Sequence, residues 1–316
     1  IYKKYTTVNE LSQEFPVKWY AWFCKQEDKM KNRMYNLLYS SLGYGAMCLL
    51  KRDQIEDIAK NRKFKDIHKG ERCFILGNGP SLNELKFSDL KSEYVFTVNQ
   101  LARRPDYCQL NANYHIWSDF NFFKVDPDRA EDLELVNTMI AVNTGDNHPE
   151  CFFPVDVKPV LEELGVANKV NANYFKIHTK LYEGFHEKTD FTRLLPGLST
   201  VVQYAILLAV YMGFSEIILL GVDTTQIMVQ IKSYLKCNDQ SDYMYTLTDN
   251  EKKRMERQLE STSLEEYARS YWHLLFSYRV LYEYCRDKNV KLINCSSVTT
   301  IDSIPRGRVE DFVQHH

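Results

Sequence analysis

The stretch Arg72-Cys-Phe-Ile-Leu-Gly-Asn-Gly-Pro-Ser-Leu-Asn-Glu-Leu85 limits the possible folds more than any other part of the chain. Cys73 to Leu76 is a short apolar run with the length and residue types of a buried strand. Gly77-Asn78-Gly79 turns the chain, and Pro80 and Ser81 open a helix, where proline loses no needed N–H. Glu84 falls early enough in that helix to favour its positive end. Strand, glycine turn and helix start are the arrangement in which free backbone N–H groups gather on an anion, most often a phosphate. The same residues also suit a plain tight turn. Gly77-Asn-Gly-Pro-Ser-Leu82 is neither the dinucleotide fingerprint nor a P-loop, because no Gly-Lys-Ser/Thr follows.

At 316 residues the chain holds one large α/β domain with an appendage, or two domains. A net charge of −2 gives no field for nucleic acid or anionic membrane, so no nucleic-acid partner is expected. The 21 tyrosines suit a packed core and stacking surfaces. Eight scattered cysteines form no CxxC pair or zinc spacing. With no secretory signal visible, they are expected as free thiols in a reducing compartment. The chain opens on Ile1 rather than Met, which leads us to expect an upstream segment. No run reaches the ~20 apolar residues of a membrane span. Leu37 to Leu50 comes nearest and reads as a buried or interface helix.

Residues 1–65 read as a helical N-terminal extension, with Lys25 to Leu38 and Arg52 to Phe64 showing three-and-four spacing. The extension is expected to pack on the main domain or on another subunit, in a homo-oligomer. Residues 66–316 then alternate strands and helices: an α/β, Rossmann-like, mostly parallel sheet flanked by helices. Tyr94–Val98, His115–Trp117 and Met139–Val142 read as strands. Ligands sit beyond the carboxyl ends of parallel strands. The polar tips Asn99, Gln100, Ser118 and Asp119 are therefore candidate contacts, although Asn and Asp also cap helices. Residues 145–195, holding His148, His178 and His186, read as a loop-rich, lid-like insertion; a lone histidine there is more often a surface residue. Pro196-Gly197-Leu-Ser199-Thr200 opens an apolar helix, Val201 to Met212, and forms a second candidate anion site. Glu216 to Asp223 reads as a buried strand with Asp223 at its tip. Residues 224–262 read as a polar, mobile segment, Leu264 to Arg286 as a long amphipathic helix with His273 packed inside, and Val290 to Asn294 as the last strand. Asp126-Pro127-Asp128 matches a sugar-transferase metal motif but leads into a charged helix and reads as its start, so no metal is inferred. HExxH and GxSxG are absent, which excludes the zincin and α/β-hydrolase mechanisms.

Three blocks carry a family likeness: Ile75 to Leu82, Asn99-Gln100, and Gly213 to Asp223 (GFSEIILLGVD). They resemble the bacterial family 42 sialyltransferases and, equally, a wider group related to motility-associated flagellin glycosyltransferases and archaeal 6-hydroxymethylpterin pyrophosphokinases. Asn294 to Arg306 resembles the wider group more. The likeness covers about residues 70–312 and implies a GT-A-variant-like Rossmann fold. It would give Asn78, Ser81 and Asn99, with Gly77, Gly79 and Pro80 of the same loop, to a nucleotide donor. Ser199-Thr200 and Arg306 join them. The sialyltransferases need no metal, and they use tyrosines on the leaving phosphate and a histidine as base. Residues 224–262 hold Tyr234, Tyr243 and Tyr245 but no histidine. The base would be Asp119, Asp223 or a histidine from elsewhere.

Three functions follow as expectations. The first is a metal-independent glycosyltransferase of bacterial surface glycan synthesis. Its co-substrate would be a nucleotide-activated sugar, CMP-linked in the sialyltransferase case, and its acceptor a glycan or lipid-linked glycan. It would be cytoplasmic, with peripheral association at the inner membrane face resting on the family analogy alone. The second is an ATP-using pyrophosphokinase with Mg²⁺ on Asp119 and Asp223. The third is an inert scaffold of the same fold.

Overall fold

A computed structural model of the protein describes residues 45–126, 129–228 and 263–313, with Met34, Ile231, Asp249 and Asn250. The fold is α/β and Rossmann-like. Its strands are β1 (Arg72–Leu76), β2 (Tyr94–Val98), β3 (Tyr114–Ile116), β4 (Glu150–Pro154), β5 (Asn171–Lys180), β6 (Leu194–Gly197), β7 (Glu216–Leu220) and β8 (Lys291–Asn294). All pair in parallel, in the order β6-β5-β4-β3-β2-β1-β7-β8. The strands are apolar on both sides because helices and 3-10 turns cover both faces of the sheet. The helices are α1 (Arg52–Ala59), α2 (Ala130–Ile140), α3 (Lys158–Glu163), α4 (Val201–Met212) and α5 (Leu264–Asp287).

Alternate residues of each strand feed different cores, as the two-residue period requires. Cys73, Ile75, Phe96, Ile217 and Leu219 pack with residues of α4 and α5 on one face. Phe74, Leu76, Val95 and Ile218 pack on the other with Leu82, Phe87 and Tyr107. Farther along that second face, Trp117, Cys151 and Phe153 meet Leu135 and Met139 of α2 and Leu161 of α3. Helix α4 is buried along nearly its whole surface, which explains its apolar composition. It lies over β1, β2 and β3 and runs against their direction. Its amino end therefore points to the carboxyl edge of the sheet.

Several expectations change. Residues 145–195 are not a lid: they supply β4, α3, β5 and the start of β6, three of the eight strands of the sheet. Polar residues hide this in the sequence, but the buried Asn173 is satisfied by Glu150 Oε2 at 2.7 Å, so a polar residue sits inside a strand without penalty. Met139–Val142 is the end of α2 and a turn, not a strand. Leu135, Val136 and Met139 share a core, which fits helical spacing. Pro80–Glu84 is a 3-10 turn instead of an α-helix. Arg104 takes the Leu82 and Leu85 carbonyls (2.8 and 3.1 Å), leaving the chain extended at Leu85. His273 is exposed, edge-on to Trp272, and not packed inside.

Residues 52–64 are helical as expected, through α1 and the 3-10 turn Lys60–Phe64. They pack into the sheet: Ile58 is fully buried, and Asn61 Nδ2 donates to the Tyr174 and Phe191 carbonyls at 2.6 and 3.0 Å. Asp126 donates its N–H to Asp132 Oδ2 at 3.0 Å and pairs with Arg129, as at a helix start. Lys25–Met30, Leu37–Tyr44 and Tyr234, Tyr243 and Tyr245 lie outside the described residues. Among the described residues, no helix is long and apolar enough to cross a membrane.

Candidate functional site

The direction of strand addition reverses between β1 and β7, so the crevice of a sheet like this opens at their carboxyl ends. Here the two tips are closed on each other. Gly77 N–H donates to the Leu220 carbonyl (2.8 Å) and Gly79 N–H to the Gly221 carbonyl (2.7 Å). A Cβ on Gly77 would stand 2.3 Å from the Gly221 oxygen, and one on Gly79 2.4 Å from Asp223 Cγ. The glycines are needed for this loop-to-loop contact.

Asp223 locks it. Its carboxylate accepts the Ser81 N–H at 2.8 Å and the Ser81 hydroxyl, and it is 2% exposed. Burial pushes its pKa up, while the two Ser81 bonds pull it down. Thr224 behind it adopts a left-handed backbone (φ 53°) and is held by Thr300 and Tyr271. Ser296 Oγ accepts the Val222 N–H at 2.8 Å. Arg306 donates to the Ser296 and Ser297 carbonyls and so braces this segment instead of facing the crevice.

Most backbone donors of the expected phosphate cradle are therefore taken within the protein. The N–H groups of Gly77, Gly79, Ser81 and Leu82 all have partners inside the protein, and Pro80 has no N–H. A five-residue 3-10 turn also lacks the dipole of a long helix. The second anion site is likewise occupied. Gln203 Oε1 accepts the N–H groups of Ser199 (2.9 Å) and Thr200 (3.3 Å), completing a capping box at the start of α4. Ser199 and Thr200 then touch Ser277 and Tyr278 of α5 through their hydroxyls. Gly197 closes β6 by pairing with Lys180.

What remains unsatisfied lies at the neighbouring tips of β1 and β2. Asn78 Nδ2 reaches across to the Val98 carbonyl at 3.4 Å, which fixes the amide's orientation. Its Oδ1 is buried and has no partner among the described residues; the same holds for Asn99 Oδ1. Asn99 is left-handed, with φ 47°, a conformation asparagine tolerates better than most residues. Gln100 is 2% exposed beside it, and Ser118 is 8% exposed at the tip of β3. Next comes Asp119, exposed, whose Oδ1 accepts the Asn121 N–H at 2.9 Å and caps a 3-10 turn. Asp119 thus caps a 3-10 turn, while the Asn78 and Asn99 amide oxygens lie buried and unsatisfied at adjacent strand tips.

One residue of this edge escaped the sequence reading. His115 is fully buried on β3, in register with Thr97. Its Nδ1 lies 2.7 Å from Thr97 Oγ1 and its Nε2 3.0 Å from the Asn99 carbonyl. A carbonyl only accepts, so Nε2 carries the proton and Nδ1 accepts from Thr97. Tyr107 Oη, 3.2 Å from Thr97 Oγ1, donates in turn. Burial drives the His115 pKa down to about 3, so the ring is neutral. With both nitrogens engaged it does not serve as a base. The other predicted histidines, His148, His178 and His186, are exposed.

A family model described as "6-hydroxymethylpterin diphosphokinase MptE-like" matches residues 52–227. That span runs from α1 through β7 and takes in both glycine loops. No curated protein matches the chain.

Proposed function

The chain belongs to the MptE-like family, and we propose that within it the protein is a glycosyltransferase whose nucleotide-activated sugar binds at the tips of β1, β2 and β3. The observation that carries this reading is the pair of unpartnered amide oxygens, Asn78 Oδ1 and Asn99 Oδ1, on adjacent strand tips. Buried acceptors without donors are costly, by about 1–3 kcal/mol each. Ribose hydroxyls or an exocyclic base amine supply such donors; a phosphate does not. The amides therefore suit the nucleoside part of a donor. In transfer, an acceptor hydroxyl attacks the anomeric carbon, and the bond from that carbon to the phosphate oxygen breaks. The nucleotide leaves with the bonding electrons, and a base takes the hydroxyl proton. Of the two carboxylates considered, Asp119 suits the base better. It is exposed, and only its Oδ1 is engaged among the described residues. Asp223 is consumed by Ser81.

The family description favours a second reading, a diphosphokinase. That chemistry relies on Mg²⁺ held by carboxylates. The side chains fit it poorly: Asp223 is locked on Ser81, and the described residues contain no group of three metal-ligating side chains. No step is assigned to a metal. A CMP-linked sugar, a glycan or lipid-linked acceptor and a station at a membrane surface extend the sialyltransferase resemblance.

Thermal unfolding with CMP, CDP, UDP, GDP and ATP, each in Mg²⁺ and in EDTA, separates these readings. A ligand at 100 times its Kd adds about 2.7 kcal/mol to the native state. The transferase reading expects a rise with a nucleotide that survives EDTA and is lost on Asn78→Ala. A rise with ATP in Mg²⁺ alone would support the kinase. A flat panel would leave the inert scaffold.

A further inference from the structure

Asn99 presents a problem of placement. Its backbone is left-handed, and its amide oxygen is useful only if that turn is kept. The residue lies just beyond the last ladder pair of β2 and β3, Val98 with Ile116, and opens the 3-10 turn Asn99–Arg103, so sheet pairing does not hold it. The hydrogen bond to its carbonyl comes from His115 Nε2, at 3.0 Å. His115 is itself fixed from behind by Thr97, and Thr97 by Tyr107. All three supporting side chains are buried. For the neutral ring with Nε2 protonated, donation runs from the Tyr107 hydroxyl through Thr97 to His115 and then to the Asn99 carbonyl, the Tyr114 carbonyl being a more distant acceptor for Thr97 at 3.4 Å.

We propose that His115 is a positioning residue of the donor site, holding the Asn99 backbone in its left-handed turn so that the Asn99 amide faces the strand-tip crevice. The proposal rests on the nucleotide reading of Asn99. It differs from a core-filling role in one respect: the effect of His115 on binding passes through Asn99 alone. A ligand never touches the imidazole, so His115 sets geometry and does no chemistry.

The test is a pair of mutant cycles on the full chain. His115→Leu removes the donor to Asn99, whereas His115→Gln keeps an N–H that reaches the same carbonyl. In CMP titrations, and separately in ATP titrations with Mg²⁺, His115→Leu should weaken binding by at least about tenfold. His115→Gln should recover most of the loss. In an Asn99→Ala background, His115→Leu should add no further weakening. A folded His115→Leu that binds like the wild type would overturn the proposal, as would an additive loss in the Asn99→Ala background. The second cycle needs no ligand. Glycine takes the left-handed turn freely, so His115→Leu should lower the thermal midpoint less beside Asn99→Gly than beside Asn99. Equal drops would overturn the positioning role. If no nucleotide binds the wild type, the nucleotide reading fails, while this thermal cycle still decides whether His115 holds Asn99.

Discussion

An imidazole kept neutral inside a fold makes that fold sensitive to acid. The His115 pKa falls from 6.5 to about 3 on burial. A depressed folded-state value contributes stability that is complete above pH 6.5 and is lost as pH drops toward 3. The slope is at most about 1.4 kcal/mol per pH unit. The groups nearest the ring along its row and across the sheet are Tyr107 (through Thr97) and Cys151 (in register on β4), neither of which titrates in this window. Asp223 has the opposite sign: its raised value favours the fold in acid, an advantage lost as pH rises through its own range. Urea midpoints from pH 7 to 4 should therefore fall steeply for the wild type and less steeply for His115→Gln. Parallel slopes would show that acid sensitivity lies elsewhere. None of this was legible in the sequence. His115 reads there as a strand residue, and its role arises from the register that sets Thr97 beside it, a long-range fact with no local signal. Asn78 and Asn99 were legible because strand tips can be located from the apolar runs that precede them.

Among the elements, the glycine loop lies where its residues place it but leans on the tip of β7. Strand, turn and proline are where the residues place them, yet the backbone donors face β7 instead of a phosphate. Sequence does not reveal which partner a loop will meet 140 residues later. The two glycines should differ when substituted. An alanine methyl at position 77 meets the backbone oxygen of Gly221, which has nowhere to go. At position 79 it meets the Asp223 carboxylate, which can swing away at the loss of its Ser81 bonds. Gly77→Ala should cost more than about 3 kcal/mol, in the severe class of substitutions. Gly79→Ala and Ser81→Ala should be milder, each losing about 1–3 kcal/mol. Urea denaturation gives the ranking, and the reverse order would remove the backbone-contact argument. The strands β5 and β6 were missed for a different reason. Asn171, Asn173 and Lys176 interrupt the apolar pattern of β5, and only their pairing with neighbours makes them tolerable inside a sheet.

For the whole molecule, the carboxyl-terminal segment acts as a brace across the tip of β7. Ser296 takes the Val222 N–H, Thr300 N–H donates to the Asp223 carbonyl, and Tyr271 of α5 reaches Thr224. Removing one brace should loosen the tip without unfolding the sheet. Ser296→Ala leaves Val222 N–H unpaired, at a cost of about 1–3 kcal/mol. Native-state hydrogen exchange should show Val222 opening about tenfold faster or more, while Ile218 and Leu219 keep their wild-type protection. Uniform acceleration across β7 would mean that the serine supports the whole sheet.

Strand β1 pairs with β2, which follows it closely, and with β7, whose Glu216 pairs with Arg72 across 144 residues of sequence. During synthesis the first six strands can assemble while β1 still presents a bare, apolar edge. Such an edge recruits other chains, and pairing at long sequence separation is slow. The nascent protein is thus most prone to aggregate just before residues 216–220 emerge. β7 then covers that edge of β1, and the Asp223–Ser81 bond at its tip fastens the two neighbouring strands that were made farthest apart in time.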